Sequence, residues 1–119
     1  MKGLSKRVKR LLRDAAAAAH EEELRRALLP VAEAFERWKA GQVGSGELSE
    51  IIHRFHQGPN RELFGRYNNP YLNLAVAHAI VTGILDRSAV APELLEHLAG
   101  DLAFHESEPA PVDPPPVER

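Results

Sequence analysis

Apolar residues in the first forty positions recur at helical spacing, but they fall on two different faces. Stepping about 100° per residue puts Leu4, Val8, Leu11, Leu12, Ala15 and Ala19 on one stripe. Leu24, Leu28, Val31, Phe35 and Trp38 form a second stripe roughly 160° away. A straight helix cannot turn both stripes toward one core. Either it breaks, between about His20 and Glu23 or at Leu29-Pro30, where proline removes a helical hydrogen bond, or its first half lies on another surface. The N-terminal stripe has the look of an a/d seam, with small alanines permitting close approach. We therefore read residues 1–23 as a protruding association helix, with Leu4, Val8, Leu11 and Ala15 toward a partner. A bend that folds this half back onto its own domain is the competing reading.

Further along, Gly41-Gln42-Val43-Gly44-Ser45-Gly46 reads as a flexible connection with Ser45 as the next N-cap. Leu48, Ile51, Ile52 and Phe55 give a short amphipathic helix stopped by Gly58. Pro59 then reopens a helix through Leu63, Phe64 and Tyr67. Asn68-Asn69 predicts a turn, with Asn69 capping a helix opened by Pro70. Residues 70–85 are apolar on nearly every side, as expected of a central buried helix. Pro92 opens a last helix with Leu94, Leu95 and Leu98 inward, which Gly100 is expected to stop. No stretch alternates with period two. The expected fold is all-α: one small helical bundle of about five or six helices over residues 1–104, with a long N-terminal helix that is kinked if Pro30 acts as a breaker.

Composition narrows this picture. The 119 residues suffice for one compact domain and not for two ordinary ones. With 44% hydrophobic residues but only four Phe, one Trp and two Tyr, the core must rely on aliphatic side chains and alanine. The absence of cysteine excludes disulfides, thiolate metal sites and cysteine nucleophiles. No apolar run reaches the roughly 18 residues of a membrane span, and Arg13-Asp14 interrupts any signal-peptide core. These features point to a cytoplasmic protein with no membrane contact. Five of the nine prolines lie in residues 109–116, so residues 105–119 read as a disordered, Pro-rich, acidic tail.

The net charge of −2 conceals a gradient. Lys2, Lys6, Arg7, Lys9, Arg10 and Arg13 occupy the first 13 positions without an acid, a cluster able to contact nucleic-acid phosphates without reading bases. Glu50, His53 and His56 include a Glu-x-x-His step of the kind found in helical metal sites, which makes a divalent-metal enzyme a further reading. Such sites need a second Glu-x-x-His, and none occurs. Glu93, His97, Asp101 and His105 form an i+4 ladder that is expected to stabilise locally without catalysing anything, and His78 is expected as a buried, hydrogen-bonded imidazole. No serine sits in a Gly-x-Ser-x-Gly elbow, and the Gly41–Gly46 loop lacks the Lys-Ser/Thr of a phosphate loop. The densest polar-aromatic cluster is Arg61, Arg66, Tyr67 and Tyr71, residue types favoured as interface anchors. The leading expectation is a non-catalytic, homo-oligomeric interaction or regulatory protein that binds itself or another protein and needs no cofactor. A nucleic-acid-associated regulator and a metal-dependent enzyme are the alternatives.

Overall fold

The computed structural model describes residues 5–107 and is all-α, with no strand among the described residues. Its helices are α1 (Lys6–Lys39), α2 (Ser45–Phe55), α3 (Arg61–Tyr67), α4 (Leu72–Val81), α5 (Pro92–His97) and α6 (Ala99–Ser107). A π-helical turn, His56–Asn60, joins α2 to α3, and a 3-10 turn, Arg87–Ala89, precedes α5. The longest element is α1, whose 34 residues span about 51 Å at 1.5 Å per residue. Position 4 and residues 108–119, which carry most of the expected tail, lie outside the described residues. His105 to Ser107, assigned to the tail from sequence, are the last residues of α6.

The two-stripe problem is resolved without breaking the helix. Ser5 caps α1 by accepting the Val8 N–H at 3.0 Å, and the helix runs unbroken through Pro30. Leu12, Ala16 and Ala19 are buried in the main core, with Val8, Leu11 and Ala15 packed against it. The N-terminal stripe expected to protrude toward a partner therefore lies, in its described part, on the protein's own domain. The same side of the helix continues through Glu23, Ala27 and Ala34, which step round by roughly 60° at most from Leu12. Ala34 is fully buried in a second, smaller cluster with Val43 and Leu48. Of the bulky stripe, Leu24 packs against the edge of the core, whereas Leu28, Phe35 and Trp38 are displaced from it, since alanines hold the inward positions.

Several boundaries differ from the sequence reading for local reasons. Gly41, at φ +79°, ends α1 in a Schellman arrangement: its N–H donates to Trp38 and that of Gln42 donates to Arg37. Gly44, not Ser45, precedes α2, and the Ser45 hydroxyl instead accepts from Trp38 Nε1 at 3.0 Å, tying α2 to α1. Gly58 does not stop the chain. The wider π turn admits Pro59 without the clash a proline ring makes with the carbonyl four residues back in an α-helix. Asn69 Oδ1 accepts the Tyr71 N–H at 2.6 Å, so the turn extends past Pro70 and α4 begins at Leu72. Gly100 lies within α6, and the interruption falls at Leu98.

The core is built around α4, whose Ala75, Val76, Ala77, Ala79 and Ile80 are buried. It packs between α1 and α6. Leu94, Leu98 and Leu102 supply the bulk from α5, the junction and α6. Arg7 Nη2 donates to Glu93 Oε1 at 3.0 Å, fastening the start of α1 to α5.

Pro30 leaves one carbonyl of α1 without its helical donor at an exposed position, a cost of about 1–3 kcal/mol relative to alanine. Urea denaturation of Pro30→Ala is expected to show a gain of that order. A helix that stopped at Leu29 would give no gain.

Candidate functional site

A carboxylate on the inner face of α1 organises the polar part of the molecule. Glu23 lies one turn beyond Ala19 on the core side, and its side chain is only 16% exposed. Arg66 Nη1 donates to both of its oxygens, at 2.9 and 3.0 Å, and the Tyr67 hydroxyl donates to Oε2. The His20 ring stacks on Tyr67, centroids 5.4 Å apart and planes 19° from parallel. Burial, reinforced by the hydrogen bond and charge of Glu23, pushes the Tyr67 phenol above its usual value of about 10. A charged carboxylate on an apolar face must be paired, and this was the sequence signal that marked Glu23. Helical periodicity applied to apolar residues alone passed over it.

This arrangement divides the four residues expected as anchors. Arg66 and Tyr67 are committed to Glu23 and join α3 to α1. Arg61 and Tyr71 are exposed and take no part in that node. The Asn68 and Asn69 side-chain amides donate to the carbonyls of Phe64, Gly65 and Arg66, closing the end of α3. Shallow hollows of about 530 and 310 Å³ flank the turn, the first beside Arg13 and Leu72, the second beside Tyr71 and His78. With the Asn69 amide already used, the polar side chains beside these open hollows are mainly Arg13 at the first and Tyr71 and His78 at the second.

The histidines do not converge on a reaction centre. Glu50 pairs with Arg54, His53 is exposed, and His56 Nδ1 lies 3.4 Å from the Asn60 amide. Among the described residues, no three His, Asp or Glu side chains come together as a metal would require. His78 is exposed, not buried, and meets His105 edge to face at 5.6 Å. The i+4 ladder is divided by its partners: Glu93 binds Arg7, whose guanidinium holds the carboxyl below its ordinary range.

Of the basic cluster, Lys2 lies outside the described residues and Arg7 is taken by Glu93. Lys6, Lys9, Arg10 and Arg13 are exposed, and Lys6, Arg10 and Arg13 follow one another at i, i+4, i+7 along α1.

The remaining feature is apolar. In the outer half of α1, Leu28 is 41%, Leu29 51%, Phe35 38% and Trp38 39% exposed, and Ile52 of α2 adds to the same end of the molecule. Leu24, Arg25, Leu28, Leu29 and Ala32 surround a hollow of about 290 Å³ on this surface. Sequence reasoning places Leu24, Leu28, Phe35 and Trp38 on one stripe, with Leu29 outside it.

These features define an all-α helical protein with a structural polar node and large apolar side chains gathered on an open helix face. Compared with protein-family models, with curated proteins and with solved structures, the chain matches none. No helix among the described residues is long and apolar enough to cross a membrane.

Tyr67→Phe tests the polar node. Removing a hydrogen bond to a charged acceptor is expected to cost about 1.5–3 kcal/mol near neutral pH. The raised phenol pKa contributes stability below pH 10 that is lost as the unfolded chain's tyrosine ionises above it. Between pH 9 and 11 the variant should therefore lose stability less steeply than the wild type in chemical denaturation.

Proposed function

We propose that the protein is a non-catalytic helical interaction protein and that the outer half of α1, flanked by α2, is its docking surface. The observation that carries this reading is the run of half-exposed large side chains from Leu28 to Trp38. Such residues scattered singly are ordinary, whereas a contiguous helical stripe with an adjoining hollow is the usual form of a protein-binding face. Leu24, Leu28, Val31, Phe35 and Trp38 keep alternating spacings of four and three, the pattern by which one helix accepts another. The paired charges serve the fold, between elements in Arg7–Glu93, Arg66–Glu23 and Arg87–Glu106 and within one helix in Arg26–Glu22, Lys39–Glu36 and Arg54–Glu50, which supports a binding reading over a catalytic one. A cytoplasmic setting, without cofactor, belongs to the same reading and rests on the cysteine-free composition.

A photo-reactive phenylalanine at position 29 of the full chain, irradiated in living cells, is expected to give discrete protein adducts. They should disappear when Phe35→Glu is added. The same reagent at position 54, on the exposed side of α2, provides the control. Absence of adducts at 29, or equal labelling from 54, would end the docking reading.

A second reading is favoured by one specific observation. Lys6, Arg10 and Arg13 form an exposed row, and among the described residues neither they nor Lys9 enters an ion pair. We propose weak, sequence-independent contact with nucleic-acid phosphates as its use. Binding to duplex DNA at low ionic strength should fall steeply with added salt, and Arg10→Ala/Arg13→Ala should lower the slope of log K against log salt by about 2. No binding at low salt, or binding indifferent to salt, would remove this reading.

A further inference from the structure

We propose that the outer face of α1 from Glu21 to Lys39 binds the same face of a second copy of this chain, antiparallel, about a two-fold axis at the level of Pro30. The inference deepens the docking reading and rests on it. Glu21, Arg25, Leu28, Ala32, Phe35 and Lys39 succeed one another at steps of four and three, so they form one line along the helix. That line is about 28 Å long and lies roughly opposite the alanines that face the core. Using it would disturb nothing in the fold.

Charge order selects the partner and the direction. Along the line the sequence runs acid at 21, base at 25, acid at 36 and base at 39. A reversed copy sets Glu21 level with Lys39 of the other chain and Arg25 within one residue of the level of Glu36, twice each by symmetry. A parallel copy would oppose like charges at every one of these positions. Glu21 and Arg25 form no ion pair among the described residues, and the Lys39–Glu36 pair, at 3.1 Å, is exposed on both sides and gives up little if exchanged.

Shape agrees with charge. The hollow beside Leu24, Leu28 and Leu29 lies in the N-terminal half of the face, and the projecting Phe35 ring lies in the C-terminal half. Reversal about Pro30 brings Phe35 of one copy level with Arg25 of the other, beside that hollow. It also brings Leu28 level with Ala32, a large residue against a small one. Each copy thus offers both the projection and the recess, which is what a self-complementary interface requires. The apolar centre provides the affinity, and the charges at its ends fix direction and register.

Sedimentation equilibrium of the purified full chain is expected to show a dimer. Phe35→Glu should raise its Kd at least about tenfold with helical circular dichroism unchanged, since that side chain is not part of the core. Glu21→Lys and Lys39→Glu should each weaken the dimer a few-fold, and the double swap should restore it. Carbodiimide should join Glu21 to Lys39, a link that a separation of about 27 Å along the helix forbids within one chain. A monomer at every concentration, a dimer indifferent to Phe35→Glu, or a double swap without rescue would overturn the proposal. If the chain is monomeric yet still gives Phe35-dependent adducts with a different protein or with its own C-terminal segment, self-pairing fails and the docking reading stands. If it is monomeric and gives no adducts, both fail.

Discussion

Alanine at positions 16, 19 and 34 leaves only a methyl group at three of the inward positions of α1, between Leu12 and Glu23 and beyond, so neighbouring helices settle close against its backbone there. Close approach yields many dispersion contacts per residue, at the price of little apolar volume contributed by α1 itself. The bulk must come from the other side. Val76 and Ile80 of α4, with Leu94, Leu98 and Leu102, provide it, and the three largest fully buried side chains are Leu94, Leu98 and Val76. The long helix acts as a smooth wall, and the later helices interdigitate against it. This division explains why α4 is apolar on nearly every side while α1 carries charge on most of its circumference.

Glu23 is the one place where that wall is polar, and its position determines what the middle of the chain does. A carboxylate one turn past Ala19 cannot be left on the inner face without donors. Arg66 and Tyr67 reach it from the end of α3 and use both carboxylate oxygens. The asparagine turn that follows completes the arrangement, because Asn68 and Asn69 return their amides to the last carbonyls of α3 and so fix the direction in which Arg66 and Tyr67 leave the helix. Part of the densest polar cluster in the sequence, Arg66 and Tyr67, is the clasp between two helices. A pH-dependent contribution to folding follows from it, whereas a ligand site does not.

Most of the architecture was legible from periodicity: the all-α class, the long first helix, the α2 stripe of Leu48, Ile51 and Phe55, and the buried segment around Ala75 to Ile80. What failed was the assignment of faces on α1. The stripe from Leu4 to Ala19, with its small alanines, reads as a seam for a partner, although alanine is often fully buried in a domain's own core. The structure reverses that choice, since packing responds to closeness of approach as well as to side-chain size. Glycine and proline misled for a related reason. Gly58 and Pro59 read as stop and start, but a π turn absorbs the proline and the helical course continues; Gly100 read as a stop, but an exposed glycine inside α6 costs only about 1 kcal/mol. The expected anchors Arg66 and Tyr67 were recognised as important residues and given the wrong partner, which a wheel that tracked buried charge as well as apolar residues would have supplied.

The reversal of faces also bears on why the second half of α1 is so apolar. A helix that needed only to pack on α2 is already served by Ala34 with Val43, Leu48 and the flank of Ile51. Leu28, Leu29 and Phe35 add nothing to that cluster, and exposing them lowers solubility without stabilising the fold. Residues with that cost and no internal return are expected where a second surface covers them. The charges argue in the same direction: Glu21, Arg25, Glu36 and Lys39 stand at the two ends of the stripe and leave its centre to Leu28 and Ala32, so the boundary between polar and apolar is drawn along a single line. A polar rim around an apolar centre is the anatomy of an interface. On this helix the rim reads the same in reverse with signs exchanged, which is the order that the proposed antiparallel copy would meet.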